Sequence, residues 1–144
     1  MKRLKRSDCA VLTLVLMRKW YDMIASGEKK EEYRDVTDRY SVRFENFWKK
    51  CCEMNVAISG KANIQGRKNA VVAFSLGYTK PSMFFAIPFS LGKGHPSKEV
   101  VEIRNYDSFY WSPAVIREGA NNPEWGEPER PHYVIKLGER VELV

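Results

Sequence analysis

Long apolar runs are scarce in this chain. The longest, residues 9–17, is strand-length, well short of the roughly 18 apolar residues that a spanning helix needs. Cysteine is scarce too: there are three, and Cys51 and Cys52 are adjacent. An odd count with two neighbours suits neither an ordinary disulfide nor the spaced ligands of a zinc site. This argues against a disulfide framework, and a reducing compartment is the simpler reading. With two histidines, His95 and His132, no spacing supports a metal centre or a catalytic Cys–His pair. There is no internal repeat, no low-complexity block and no cofactor motif. Lys2, Arg3, Lys5 and Arg6 imitate the start of a signal peptide. The apolar run behind them contains Thr13, ends at Arg18-Lys19 and lacks a small-x-small cleavage site. The expectation is a soluble, cytoplasmic chain with no membrane partner.

What is present suffices for a core. The apolar fraction is 44% over 144 residues, which argues against disorder and for one domain. The net charge of +6 permits an anionic partner without demanding one. Four of the six units come from Lys2, Arg3, Lys5 and Arg6, leaving +2 for the rest. The chain divides into a basic arm, residues 1–8, and one domain, residues 9–144. A mobile basic arm gives weak, salt-sensitive attraction.

Residues 11–17 read as a strand buried on both faces. Trp20, Met23 and Ile24 then repeat with helical spacing, and Gly27 is a natural stop. Residues 29–36 are polar and extended, a strand lining something wet. Thr37 is a plausible N-cap for a second helix, with Tyr40, Phe44, Phe47, Trp48 and Cys51 on one stripe. Asp35 and Asp38 suit its positive end. Residues 59–69 form a basic loop around Lys61, Arg67 and Lys68. Strands follow at 70–78, 83–89 and 99–104, with a Gly/Pro loop at 90–97. Residues 121–131 hold three prolines and no periodicity. Residues 132–137 and 141–144 are strands joined by the turn Gly138-Glu139-Arg140. The pattern predicts an α+β fold, with six or seven strands in a closed or nearly closed small barrel decorated by two or more helices.

The stretch with most chemical content is Gly27-Glu28-Lys29-Lys30-Glu31-Glu32-Tyr33-Arg34, of the form G-x-K-x-x-E-x-R. Glu32 and Arg34 share a face of an extended strand. A carboxylate beside a guanidinium makes a fork that can read a base edge or a ribose. They could equally form a surface ion pair worth about 0–1 kcal/mol. Strand parity puts Lys30 on their face. Gly27 supplies the positive φ that the helix exit needs.

This order of strand, short helix and motif resembles the ASCH (activating signal cointegrator homology) family, whose fold is a PUA-like β-barrel. Pro123-Glu124-Trp125-Gly126 and Tyr133-Val134-Ile135-Lys136-Leu137-Gly138 are similar to the closing strands of bacterial and phage-type members. The resemblance spans about residues 11–143 and is strongest over 19–34 and 123–138. It implies a cleft beside the barrel, floored by Gly27, Lys29, Glu32 and Arg34 and suited to RNA or a nucleoside. The family pattern selects Lys29, whereas parity selects Lys30; either would neutralise phosphate or hydrogen-bond a carbonyl. Trp125, then Tyr78, are the stacking candidates for a base, with capping of the barrel end as the alternative for Trp125.

One branch similar to this family hydrolyses the amide of acetylcytidine, using the motif Lys and a Thr three residues on. Glu32 stands at that Thr position here. If the chain is an amidohydrolase or ribonuclease, Lys29 and Glu32 are its catalytic candidates, with Glu32 orienting water. Ribonuclease members use Tyr, Lys and Ser; Tyr21, Tyr33 and Tyr78 are available. A protein-interaction module in a transcription or translation assembly is the third class. Gly92-Lys93-Gly94-His95 looks like a phosphate nest but has no following helix, so a plain loop is the reading.

Overall fold

The computed structural model describes residues 1–35, 37–56, 60–62, 68–87, 90–94, 100–105, 112–115 and 132–144. Strand β1 (Lys2–Leu4) leads through a 3₁₀ turn into β2 (Cys9–Leu16) and helix α1 (Arg18–Ala25). Strand β3 (Glu31–Asp35) and helix α2 (Asp38–Met54) follow. Then come β4 (Asn69–Leu76), β5 (Met83–Ala86), β6 (Ser90–Gly94), β7 (Val100–Asn105), β8 (Ser112–Val115), β9 (His132–Lys136) and β10 (Arg140–Leu143). The fold is α+β, as expected. Among the described residues, ten strands stand in place of six or seven.

The strands form two five-stranded sheets, ordered β1-β10-β5-β4-β2 and β3-β9-β6-β7-β8. Neither closes on itself among the described residues: β1 and β2 end one sheet, β3 and β8 the other. The expectation is a closed or nearly closed barrel; among the described residues the strands make two sheets and no closed barrel. Three strands escaped the sequence pattern. Residues 1–8 are no arm, because β1 pairs in parallel with β10. Residues 90–94 are no loop, because β6 pairs with both β7 and β9. The glycines at 92 and 94 carry a turn signal that the sheet overrides. Strand β8 has four residues, too few to show alternation.

Helix α2 begins as its sequence requires. The Thr37 hydroxyl accepts the Tyr40 N–H at 3.3 Å, and the helix ends at Asn55 in the left-handed region, φ 51°. Its stripe of Phe44, Phe47, Trp48 and Cys51 is buried against β2, with Tyr40 half-buried beside it. That cluster includes Leu12, Leu14, Val72, Phe74, Met83 and, from the second sheet, Tyr133 and Ile135. The core therefore lies between α2 and the facing parts of both sheets. Strand β4 is buried on both faces; its Val71 joins a second cluster with Leu4, Ala86 and Val141.

Strand β2 departs from its expectation. It is an edge; Ala10, Leu12, Leu14 and Leu16 face the main core, Cys9 and Val11 pack in the second cluster, and Thr13 and Val15 are exposed. Strands β9 and β10 also do not pair with each other. The link 137–139 crosses from one sheet to the other. Gly138 donates to the Ala86 carbonyl at 2.9 Å, and the Ala86 N–H donates to the Glu139 carbonyl at 2.8 Å. A Cβ on Gly138 would stand 2.0 Å from the Gly60 carbonyl oxygen, so this crossing admits glycine alone.

Candidate functional site

Helix α1 ends at Ser26, and Gly27 turns the chain with φ 83°. The Lys29 N–H then bonds back to the Met23 carbonyl at 3.0 Å. This bend precedes β3, so strand parity does not extend back to the lysines. It sends Lys29 inward, 2% exposed, and leaves Lys30 on the surface. The parity argument for Lys30 is thereby corrected.

From there β3 runs antiparallel to β9, with Glu32 opposite Ile135 and Arg34 opposite Tyr133. Opposed residues share a sheet face, and Ile135 and Tyr133 belong to the main core. Glu32 and Arg34 are thus carried to the core side of the sheet, next to α2. The strand that was expected to line something wet is buried at Glu31, Glu32 and Tyr33. Its polar residues satisfy one another.

Glu32 is the hub. One carboxylate oxygen, Oε1, takes the Lys29 ammonium and the Tyr33 N–H, the latter at 3.0 Å. The other, Oε2, accepts from Arg34 Nη2 at 3.0 Å. Arg34 also donates from Nη2 to the Val15 carbonyl at 2.8 Å and from Nη1 to the Tyr40 hydroxyl at 3.1 Å. The Val15 bond is a seam contact. Leu16 turns its carbonyl toward the β4 side, where it accepts from Gly77, so Val15 turns its own away from β4. Arg34 therefore ties the free edge of β2 to β3. The remaining nitrogen, Nε, is buried and has no hydrogen-bond partner.

Lys29 lies among rings. Its Nζ is 5.2 Å from the centroids of both Trp20 and Tyr33, a setting that favours a cation. Burial nevertheless pulls its pKa below the ordinary lysine value of 10.5, against the upward pull of Glu32. Glu31 accepts from the Tyr33 hydroxyl at 3.2 Å. Tyr40 and the Val15 carbonyl were not foreseen as site groups. Neither carries a motif signal, because tertiary packing alone brings them to Arg34. Trp20 is half-buried, packs against the main core and lies beside Lys29.

Tyr78 is fully exposed, in the turn after β4. Its neighbour Gly77 bonds Leu16 and Arg34 bonds Val15, so the turn and the guanidinium meet the same end of β2 on opposite edges. Trp125 and His95 lie outside the described residues. Among the described residues, no cluster of His, Cys, Asp and Glu could hold a metal. The three cysteines form no disulfide. Burial raises the Cys51 thiol pKa and pushes Cys9 up to about 11, so neither is a thiolate at neutral pH. No helix among the described residues is long and apolar enough to cross a membrane.

No protein-family model matches the chain, and neither does any curated protein or solved structure.

Proposed function

We propose that the chain is a binding module for RNA or a nucleoside-containing ligand, an ASCH-like domain of PUA-like architecture acting in the cytoplasm. The observation that carries the reading is the Arg34 Nε–H. It is buried without an acceptor, in a guanidinium whose other nitrogens are engaged. A buried donor left unmade costs about 1–3 kcal/mol. A ligand carbonyl or ring nitrogen at Nε relieves that cost. The exposed Tyr78 and Val15 at the same end of β2 offer apolar surface for a ring.

Binding is favoured over hydrolysis by the state of Lys29. Its lowered pKa suits a nucleophile, yet the amine is 2% exposed and engaged by Glu32. It is held as half of a buried ion pair rather than presented as a free amine. Glu32 in turn is held by Lys29, Arg34 and a backbone N–H.

The test is calorimetric titration with a ten-nucleotide single-stranded RNA and with free nucleosides, at low and moderate salt. The expected result is saturable binding that Glu32→Gln weakens about tenfold or more, the size of a lost charge-assisted bond. No binding to any of them at either salt sinks the reading. Turnover of acetylcytidine or RNA by wild type, abolished by Lys29→Met, would replace it with the hydrolase.

A further inference from the structure

Helix α2 buries one stripe, and the charges on the rest of its surface are sorted. At about 100° per residue, Arg39, Arg43, Asn46 and Lys50 fall within about 60° of one another, in one row along the helix. All four are exposed. From Arg39 to Lys50 the row runs about 16 Å. The acids of α2 lie elsewhere. Asp38 and Glu45 are on the other flank, more than about 90° round from the row, with Lys49 beside them. Glu53 stands beyond the last cation, toward the helix end. With Glu53 counted, three cations face one carboxylate, a net +2. Among the described residues, no carboxylate is in ion-pair range of Arg39, Arg43 or Lys50, and no hydrogen bond engages their side chains.

The row begins beside the motif. Its nearest neighbours on the buried stripe are Phe47 and Tyr40, whereas Ser41, which bonds the Tyr133 hydroxyl, borders the acidic flank. Tyr40 accepts from Arg34 Nη1 at 3.1 Å, and its ring centroid lies 5.7 Å from the guanidinium carbon. Arg39 is the residue before it. The chemistry of the row selects its occupant. Protein interfaces are built on aromatic and aliphatic anchors; Val42 is the one large exposed apolar residue of α2, and it lies off the row. Phosphate oxygens need only cations and hydrogen-bond donors, which guanidinium, ammonium and amide groups supply.

We propose that this row of α2 holds the phosphodiester backbone of a single-stranded RNA whose base is read at Arg34. The inference rests on the binding reading above. It is tested by fluorescence anisotropy of a labelled ten-nucleotide single-stranded RNA over a salt series. The proteins are wild type, the double variant Arg43→Gln with Lys50→Gln, the control Lys5→Gln with Arg140→Gln, and Glu32→Gln. Gln is a good helix former, so α2 stays folded in the double variant. The control removes the same charge from exposed side chains at the far side of the first sheet, where β5 and β4 separate β10 from β2. Each lost phosphate contact lowers the slope of log K against log salt by about 0.7 on single strands. The double variant is expected to lose about 1.4 from the slope and about tenfold or more in affinity at low salt. It should bind a free nucleoside as wild type does. The control should keep the wild-type slope, and Glu32→Gln should weaken binding with the slope unchanged.

A wild-type slope in the double variant overturns the assignment of the row while leaving the motif reading in place. An equal loss of slope in the control makes the attraction one of net charge and overturns the row as well. A reduced slope in the double variant alone, with Glu32→Gln binding RNA and nucleoside like wild type, supports the row and overturns the motif reading. No RNA or nucleoside binding by wild type overturns both. Labelled polyglutamate that binds more tightly than the RNA at equal charge, and is lost in the double variant, gives the row to an acidic protein and overturns its assignment to nucleic acid.

Discussion

At the scale of single residues, one buried carboxylate serves two cations, a buried ammonium and a part-buried guanidinium. Removing one partner of a buried pair costs about 3–5 kcal/mol, because a charge is left uncompensated. Glu32→Ala leaves Lys29 and Arg34 facing each other, so a loss in that range is expected in urea denaturation. Glu32→Gln, which keeps shape and an acceptor, should cost less and serve as the binding probe. Lys29 yields a pH prediction. Its folded pKa is lowered, so its contribution to stability is fully present above 10.5 and is lost as pH falls through the depressed value. Cys9, raised to about 11, acts oppositely: its contribution is present below 9.0 and fades as pH rises through about 11. Comparing wild type with Lys29→Met cancels the cysteine effect. The stability difference between them should shift in favour of wild type as pH climbs toward 10.5. The motif was legible at this scale because Gly27, Lys29, Glu32 and Arg34 are contiguous. Their burial was not legible, because the core face of β3 is set by β9, a hundred residues on.

At the scale of elements, α2 was the most legible part of the chain. Its cap, its stripe and its buried residues all follow from local spacing. Thr37→Ala should cost about 1 kcal/mol, the usual value of an N-cap, read as a shift in the urea midpoint with an unchanged slope. Strand β2 shows where local spacing fails. A run of apolar, β-branched residues looks the same whether the strand is central or at an edge. Only the partner decides, and β2 has one strand partner, β4. Its other edge is met by the Arg34 side chain. Short strands were missed for a simpler reason: three or four residues carry too little periodicity to be seen.

At the scale of the whole molecule, the two sheets are joined by a crossing that depends on a single hydrogen atom in place of a side chain. Gly138→Ala would press a methyl group against the carbonyls of Gly60 and Ala86. Backbone cannot yield as a side-chain tip does, so a loss of about 3 kcal/mol or more is expected in thermal or urea unfolding. Sequence spacing placed Gly138 in a turn; residues 137–139 form the link that crosses between the sheets. That the turn changes sheets rather than making a hairpin depends on β5, and no local signal encodes it. The basic N-terminal residues were similarly readable as charge but not as structure. Lys2 and Arg3 sit in a strand and pair with Glu139 and Glu142. Exposed pairs of that kind contribute about 0–1 kcal/mol.

The central claim is that Arg34 Nε–H awaits an acceptor from a nucleobase ligand. The most direct measurement is the NMR signal of that Nε–H during titration with cytidine monophosphate and with a ten-nucleotide single-stranded RNA. The account predicts that the signal moves and saturates together with binding. An Arg34 Nε–H signal that stays in place while the protein is saturated with RNA would contradict it.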